Sequence, residues 1–258
     1  MKHAISILDF DHVYNIQSYF KGSNYEWIDF SDIKNISRYC EKGSLININQ
    51  RLKKRNNTGI TFIGSGNYHY ITYLLMSEIQ SPFTLVLFDY HTDMLKPYFG
   101  TLMSCGSWVL KALQGLPMLK KVVIIGVKKD LANIIPPYYN EVVSVFTEER
   151  IRKTEEVVEL NKYINLEIPT KNVYISIDKD VLSTTEAVTN WDQGSMKLGQ
   201  LLNLVEYISI TKKICGVDIC GEYPFNPVTS FYKENLKATE KNNKANKKIL
   251  NIIEELNI

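Results

Sequence analysis

FTLVLFDYHTDM, residues 83–94, is an apolar run that ends in acids and a histidine spaced two residues apart. NVYISIDKD, residues 172–180, has the same build. Side chains alternate faces in an extended chain, so Asp89, His91 and Asp93 are expected on one side, and Asp178 and Asp180 likewise. Similar apolar runs recur at 4–10, 60–64, 121–126, 142–146 and 214–219, most of them rich in Ile and Val without polar alternation. Strands of that kind are covered on both faces. Helical patterns near 68–80, 106–115, 155–165 and 197–211 lie between them. The alternation predicts an α/β fold with a parallel sheet sandwiched by helices. Ligands of such sheets bind beyond the carboxyl ends of the strands, where Asp89, Asp178 and Asp218 fall. Carboxylates crowded on that rim repel one another and pay a desolvation cost, and bound cations relieve both. The pattern therefore predicts a metal site.

The rest of the composition narrows the classes. The 258 residues suffice for a full core and fit one domain over 1–258. A hydrophobic fraction of 45%, a charged fraction of 22% and a formal charge of +2 give no electrostatic case for nucleic acid. No run approaches the roughly 18 apolar residues of a membrane span, and the N-terminus meets acids too early for a secretory signal. A cytoplasmic protein with small-molecule partners is expected. Cys40, Cys105, Cys215 and Cys220 form no CxxC pair and are read as reduced thiols. From Phe231 the chain turns lysine-rich, and a solvated helix over about 231–258 is expected to dock through Ile249, Ile252, Ile253 and Leu256.

A further ligand candidate, His69, stands in GSGNYHY (64–70) behind the run ITFIG. With it the chain has, in order, a glycine-rich turn ending in histidine, a DxHxD strand end and an SxDxD strand end. In this it resembles the arginase, agmatinase and formiminoglutamase superfamily of ureohydrolases, over roughly residues 58 to 227. The resemblance implies a three-layer α/β/α sandwich with a mainly parallel central sheet and two divalent cations, usually Mn2+. By position, His69, Asp89, Asp93 and Asp178 would hold one ion and His91 and Asp180 the other, with Asp89 and Asp178 bridging. Oxygen-rich ligands with imidazole suit manganese. The implied activity is hydrolysis of a C–N bond in a small guanidino, amidino or formimino compound by hydroxide held between the metals. Family members often form trimers or hexamers, so a homo-oligomer is open.

Further roles follow from the same resemblance. Glu222, in GVDICGEYPFNP (216–227), matches the acid that binds the substrate's cationic group, although it follows Asp218 by four residues where the family has three. TNWDQGSM (189–196) falls at a substrate loop, which makes Trp191, Asp192 and Gln193 pocket candidates. Where arginases and agmatinases carry a proton-shuttle histidine, this chain has SCGSW (104–108). Cys105 is either a replacement acid or a pocket-lining group, and the small residue at this position draws the substrate towards formimino or related amidines. ILDFDHVY (7–14) also resembles the strand end of haloacid-dehalogenase-type phosphatases, with Asp9 as nucleophile and Asp11 as acid. The downstream acids fit the ureohydrolase pattern better. Asp9, Asp11 and His12 are instead expected to close the sheet rim, with His12 as a stand-in shuttle. The alternative to an enzyme is a metal-binding relative without catalysis, serving as a binding or assembly subunit.

Overall fold

The computed structural model describes residues 5–96, 102–153 and 157–256. Ala4, the start of the helical pattern at 155 and the last two residues lie outside that set.

The strands in chain order are β1 (Ile5–Asp9), β2 (Tyr25–Asp29), β3 (Tyr39–Cys40), β4 (Ile60–Phe62), β5 (Phe83–Phe88), β6 (Met103–Ser104), β7 (Leu119–Val127), β8 (Val143–Thr147), β9 (Asn172–Asp178) and β10 (Lys213–Cys220). Eight of them form one sheet in the order β2-β1-β4-β10-β9-β5-β7-β8, with every neighbouring pair parallel. The other two, β3 and β6, pair antiparallel as a small clip.

Alternation along the strands sends side chains to two separate cores. Ile7, Val86, Phe88, Val123 and Ile175 enter one; Leu8, Leu85, Leu87, Val122 and Ile124 enter the other. Each fully buried aliphatic side chain contributes about 1.5–3 kcal/mol of transfer free energy, so both faces must be covered. The helices do this. They are α1 (Lys42–Leu52), α2 (Ile71–Met76), α3 (Trp108–Gly115), α4 (Lys129–Ala132), α5 (Glu148–Lys153), α6 (Val157–Leu166), α7 (Leu198–Thr211) and α8 (Lys233–Glu255). Ile48, Leu74 and Val109 bring α1, α2 and α3 onto one face, and Ile164, Val205 and Ile249 bring α6, α7 and α8 onto the other. The result is the expected three-layer α/β/α sandwich.

The lysine-rich helix α8 docks with Ile249 and Ile253 fully buried, while Ile252 and Leu256 are only partly so. Its buried stripe also contains Asn242 and Asn246.

Register places the strand ends. Phe88 of β5 pairs with Ile177 of β9, and Ile177 pairs with Ile219 of β10. Asp89 and Asp178 thus leave adjacent central strands at the same level, with Cys220 opposite Asp178. His69 joins them from the turn after β4, the neighbour of β10 on its other side.

Candidate metal centre

The converging side chains come from irregular backbone more than from strand alternation. β5 ends at Phe88, and Asp93 adopts the left-handed conformation (φ 51°). Asp180 sits in a single 3-10 turn, Lys179–Val181, capped by the Asp178 carboxylate accepting from the Asp180 N–H at 2.9 Å. Convergence was expected, but these turns produce it.

His69 Nδ1 lies 3.3 Å from Asp89 Oδ2, 3.2 Å from Asp93 Oδ2 and 3.4 Å from Asp178 Oδ2. His91 Nδ1 lies 2.8 Å from Asp180 Oδ2 and 3.4 Å from Asp89 Oδ1. The two oxygens of Asp89 therefore face two different histidines. His69, Asp89 and Asp93 form one group of ligand atoms, and Asp89, His91 and Asp180 a second, each with its atoms within 4.8 Å of one another. A third group joins His69 and Asp178 to Cys220, whose thiol donates to Asp178 Oδ2 at 3.2 Å.

Four aspartates in one place strain their own ionisation. Burial, reinforced by the Asp89 charge, pushes the Asp93 carboxyl up to about 6 and raises Asp178 as well. Burial and the charges of Asp178 and Asp89 lift Asp180 well above the ordinary range. Burial also acts to raise Asp89, but hydrogen bonds from His69 and His91 outweigh it and hold this carboxyl at about 2. Conversely, burial disfavours the charged His91, yet Asp180 and Asp89 raise it to about 12. Divalent cations bound among these groups would relieve the same repulsion. The donor set, four carboxylates and two imidazoles, fits divalent cations of the manganese type.

Partners behind the ligands fix their orientation. His69 Nε2 lies 2.9 Å from Ser176 Oγ, and Ser176 Oγ donates to Asp218 Oδ1 at 2.7 Å. With the hydroxyl proton committed to Asp218, Ser176 accepts from His69 Nε2–H, which leaves Nδ1 of the neutral ring for a cation. Trp108 Nε1 donates to Asp93 Oδ2 at 2.5 Å, and its ring lies 4.8 Å from that of His69. The SCGSW segment thus supplies an indole clamp at the start of α3. Sequence reasoning missed Ser176 and Trp108 as supports, although both stand inside motifs already singled out.

A cavity of about 270 Å³ opens over these groups. Its walls include Gly66, Leu95, Cys105, Leu131, Ile134 and Trp191, with Arg38 and Tyr39 also on the lining. Gly66 is required there, because a Cβ would stand 2.9 Å from Asp178 Oδ2 and 3.1 Å from the Trp191 ring. Burial, aided by the Asp93 charge, pushes the Cys105 thiol up to about 12, so it stays protonated at neutral pH. That matches a wall residue better than a replacement acid.

Four other candidates lie off the cavity lining. Glu222 is absent from the cavity wall; it is 1% exposed and ion-paired with Lys179 Nζ. It also accepts from Gln17 at 2.7 Å, from Asn242 at 3.2 Å and from Asn246 at 2.6 Å. Gly221, with a φ of 82°, turns the chain between Cys220 and Glu222, whose carboxylate meets Asn242 and Asn246 of α8. A one-residue shift reverses a side chain's face. His12 pairs with Asp9 Oδ2 at 3.0 Å, is 48% exposed at its side chain and does not line the cavity. Gln193 spends its amide on Thr189, Leu182 and Ala187, shaping the loop rather than the pocket. Asp192 is exposed and lies off the lining. Of the loop trio only Trp191 reaches the cavity.

A family model described as Arginase family matches residues 2–230. The chain belongs to the arginase family. A Thermotoga maritima protein described as uncharacterized is 34% identical over 218 residues, 84% of this chain and 79% of the relative. Among solved structures, formimidoylglutamase from Bacillus subtilis superposes with a TM-score of 0.70 at 15% identity, covering 100% of this chain and 89% of that one. Agmatine ureohydrolase of Thermoplasma volcanium gives 0.66 at 16% identity, covering 98% and 89%. At such identities these likenesses speak to the fold. Among the described residues no helix is long and apolar enough to cross a membrane.

Proposed function

We propose that this arginase-family chain is a hydrolase with a pair of Mn2+ ions that cleaves a non-peptide C–N bond in a small guanidino, amidino or formimino compound. The observation that carries the reading is Asp89, with one oxygen turned to His69 and the other to His91. His69, Asp89, Asp93 and Asp178 would hold one ion, and Asp89, His91, Asp178 and Asp180 the other. Cations held there would act as Lewis acids on a bound water, lowering its pKa so that hydroxide is available at neutral pH.

The protein's own groups set the conditions. Ser176 and Asp218 hold the His69 tautomer, and Trp108 holds Asp93. Trp191, Leu95, Leu131 and Ile134 give the cavity apolar walls that limit water at the reacting carbon. Cys105 fills the place of the usual shuttle histidine as a neutral thiol.

One observation favours a second reading, a metal-binding relative without turnover: Lys179 already neutralises Glu222, the acid matched to the family's cation-binding position. The test is release of urea, ammonia or formamide by manganese-loaded protein across guanidino, amidino and formimino compounds, with Asp178→Ala as control. Turnover lost in the control supports the hydrolase. Two metals per chain with silence across the panel supports the binding subunit.

A further inference from the structure

The cavity has acids and histidines at its floor and apolar residues on its walls, and among the described residues its lining contains one Arg and no Lys. That residue, Arg38, is held in place twice over. Its backbone is left-handed (φ 64°), and its N–H donates to Asn67 O at 3.1 Å while its carbonyl accepts from Cys105 N at 3.0 Å. It is thereby tied to both the glycine-rich turn and the SCGSW segment. Its guanidinium lies 5.1 Å from the centroid of Trp191, whose indole N–H donates to Asn67 Oδ1 at 3.2 Å. Stacking on an indole fixes the plane of a guanidinium and leaves its edge N–H groups for another partner.

Among the described residues that partner is missing from the protein. Arg51 and Arg55 each make two-pronged contacts, with Asp32 and Glu78. Arg38 has no such carboxylate partner. At the same time Glu222, the acid placed by sequence to receive a cation, is consumed by Lys179. The pocket offers a positioned cation and withholds its buried anion.

We infer that Arg38 is a specificity-determining residue that binds a carboxylate on the substrate, so that the compound hydrolysed is a guanidino or amidino acid rather than an amine. The assignment rests on the hydrolase reading above. A planar guanidinium takes a carboxylate through two parallel N–H···O bonds, a geometry that neither an ammonium nor an alkyl tail satisfies.

Three probes that carry a guanidino group on a four-carbon chain and differ in the terminal group test it: γ-guanidinobutyrate, agmatine and butylguanidine. Binding to the manganese-loaded protein is measured by calorimetry and turnover by urea release, with wild type and Arg38→Gln. Arg38 is exposed, so the substitution leaves the core intact. The expected result is binding of the acid at least about tenfold tighter than of the amine in wild type, falling to about threefold or less in Arg38→Gln. Equal or better binding of agmatine, an acid preference that survives Arg38→Gln, or no binding of any probe overturns the assignment. Turnover without acid preference removes Arg38's role and keeps the hydrolase. Acid preference in binding without turnover does the reverse.

Discussion

Lys179 and Glu222 form an ion pair in the interior, with side chains 0% and 1% exposed, and together with Gln17, Asn242 and Asn246 they fasten helix α8 to the ends of β9 and β10. Two desolvated charges are stable only while both are present. Glu222→Gln should lower unfolding stability by about 3–5 kcal/mol, and Lys179→Met combined with Glu222→Gln should recover part of that loss. Urea unfolding of the variants measures it; a loss under about 1 kcal/mol for Glu222→Gln would contradict a buried, uncompensated lysine.

The chain from His69 through Ser176 to Asp218 predicts an effect at a residue that touches no cation. Ser176→Ala removes the acceptor of the His69 Nε2 proton. Metal affinity should fall about 10–100-fold with the fold intact. Titration with Mn2+ followed by calorimetry reads the change, and unchanged affinity would remove Ser176 from the account.

Any Cβ at position 66 would crowd Asp178 and Trp191. Gly66→Ala should therefore displace both, weakening metal binding and altering Trp191 fluorescence while far-UV dichroism stays as in wild type. Wild-type metal affinity in this variant would show that the turn yields more than the distances imply.

Asp11 gives a pH dependence independent of the metal ligands. Burial, with added repulsion from Asp9 and Glu222, lifts its carboxyl from 3.8 to about 7, and its Oδ1 is buried without a hydrogen-bond partner. The folded state therefore binds this proton more tightly than the unfolded state. Stability is lost as pH rises from about 4 through about 7. Asp11→Asn should match wild type near pH 4 and exceed it near pH 8, by on the order of 1–2 kcal/mol after solvent screening. Thermal melts across that range test the sign; a variant less stable at high pH would reverse it.

What the sequence disclosed followed from how strongly each segment announces its environment. Seven apolar runs became strands because strands buried on both faces are written in Val and Ile. Tyr25–Asp29 escaped notice because β2 is an edge strand whose five residues are all partly or fully exposed, so it lacks that signature. Helix α1 was hidden too, since Ile and Asn in LININQ are poor helix formers and its stability comes from docking Ile48 and Leu52. In the site, strand-end spacing singled out Asp89, His91, Asp93, Asp178 and Asp180 as candidates, and His69 was added as a sixth from its glycine-rich turn; the structure brings the six side chains together. Glu222 could not be placed, because its direction depends on the φ of Gly221, which spacing does not encode. Lys179 was equally hidden between two aspartates, where a buried lysine is recognisable only once its partner is known.

The central claim is a two-cation site shared through Asp89. The most direct measurement is metal stoichiometry by elemental analysis after equilibration with Mn2+ and removal of free ion, for wild type and Asp89→Asn. Two ions per chain in wild type, with one or both lost in Asp89→Asn, is the expected result. Fewer than one ion in wild type, or two ions retained in Asp89→Asn, would contradict the account.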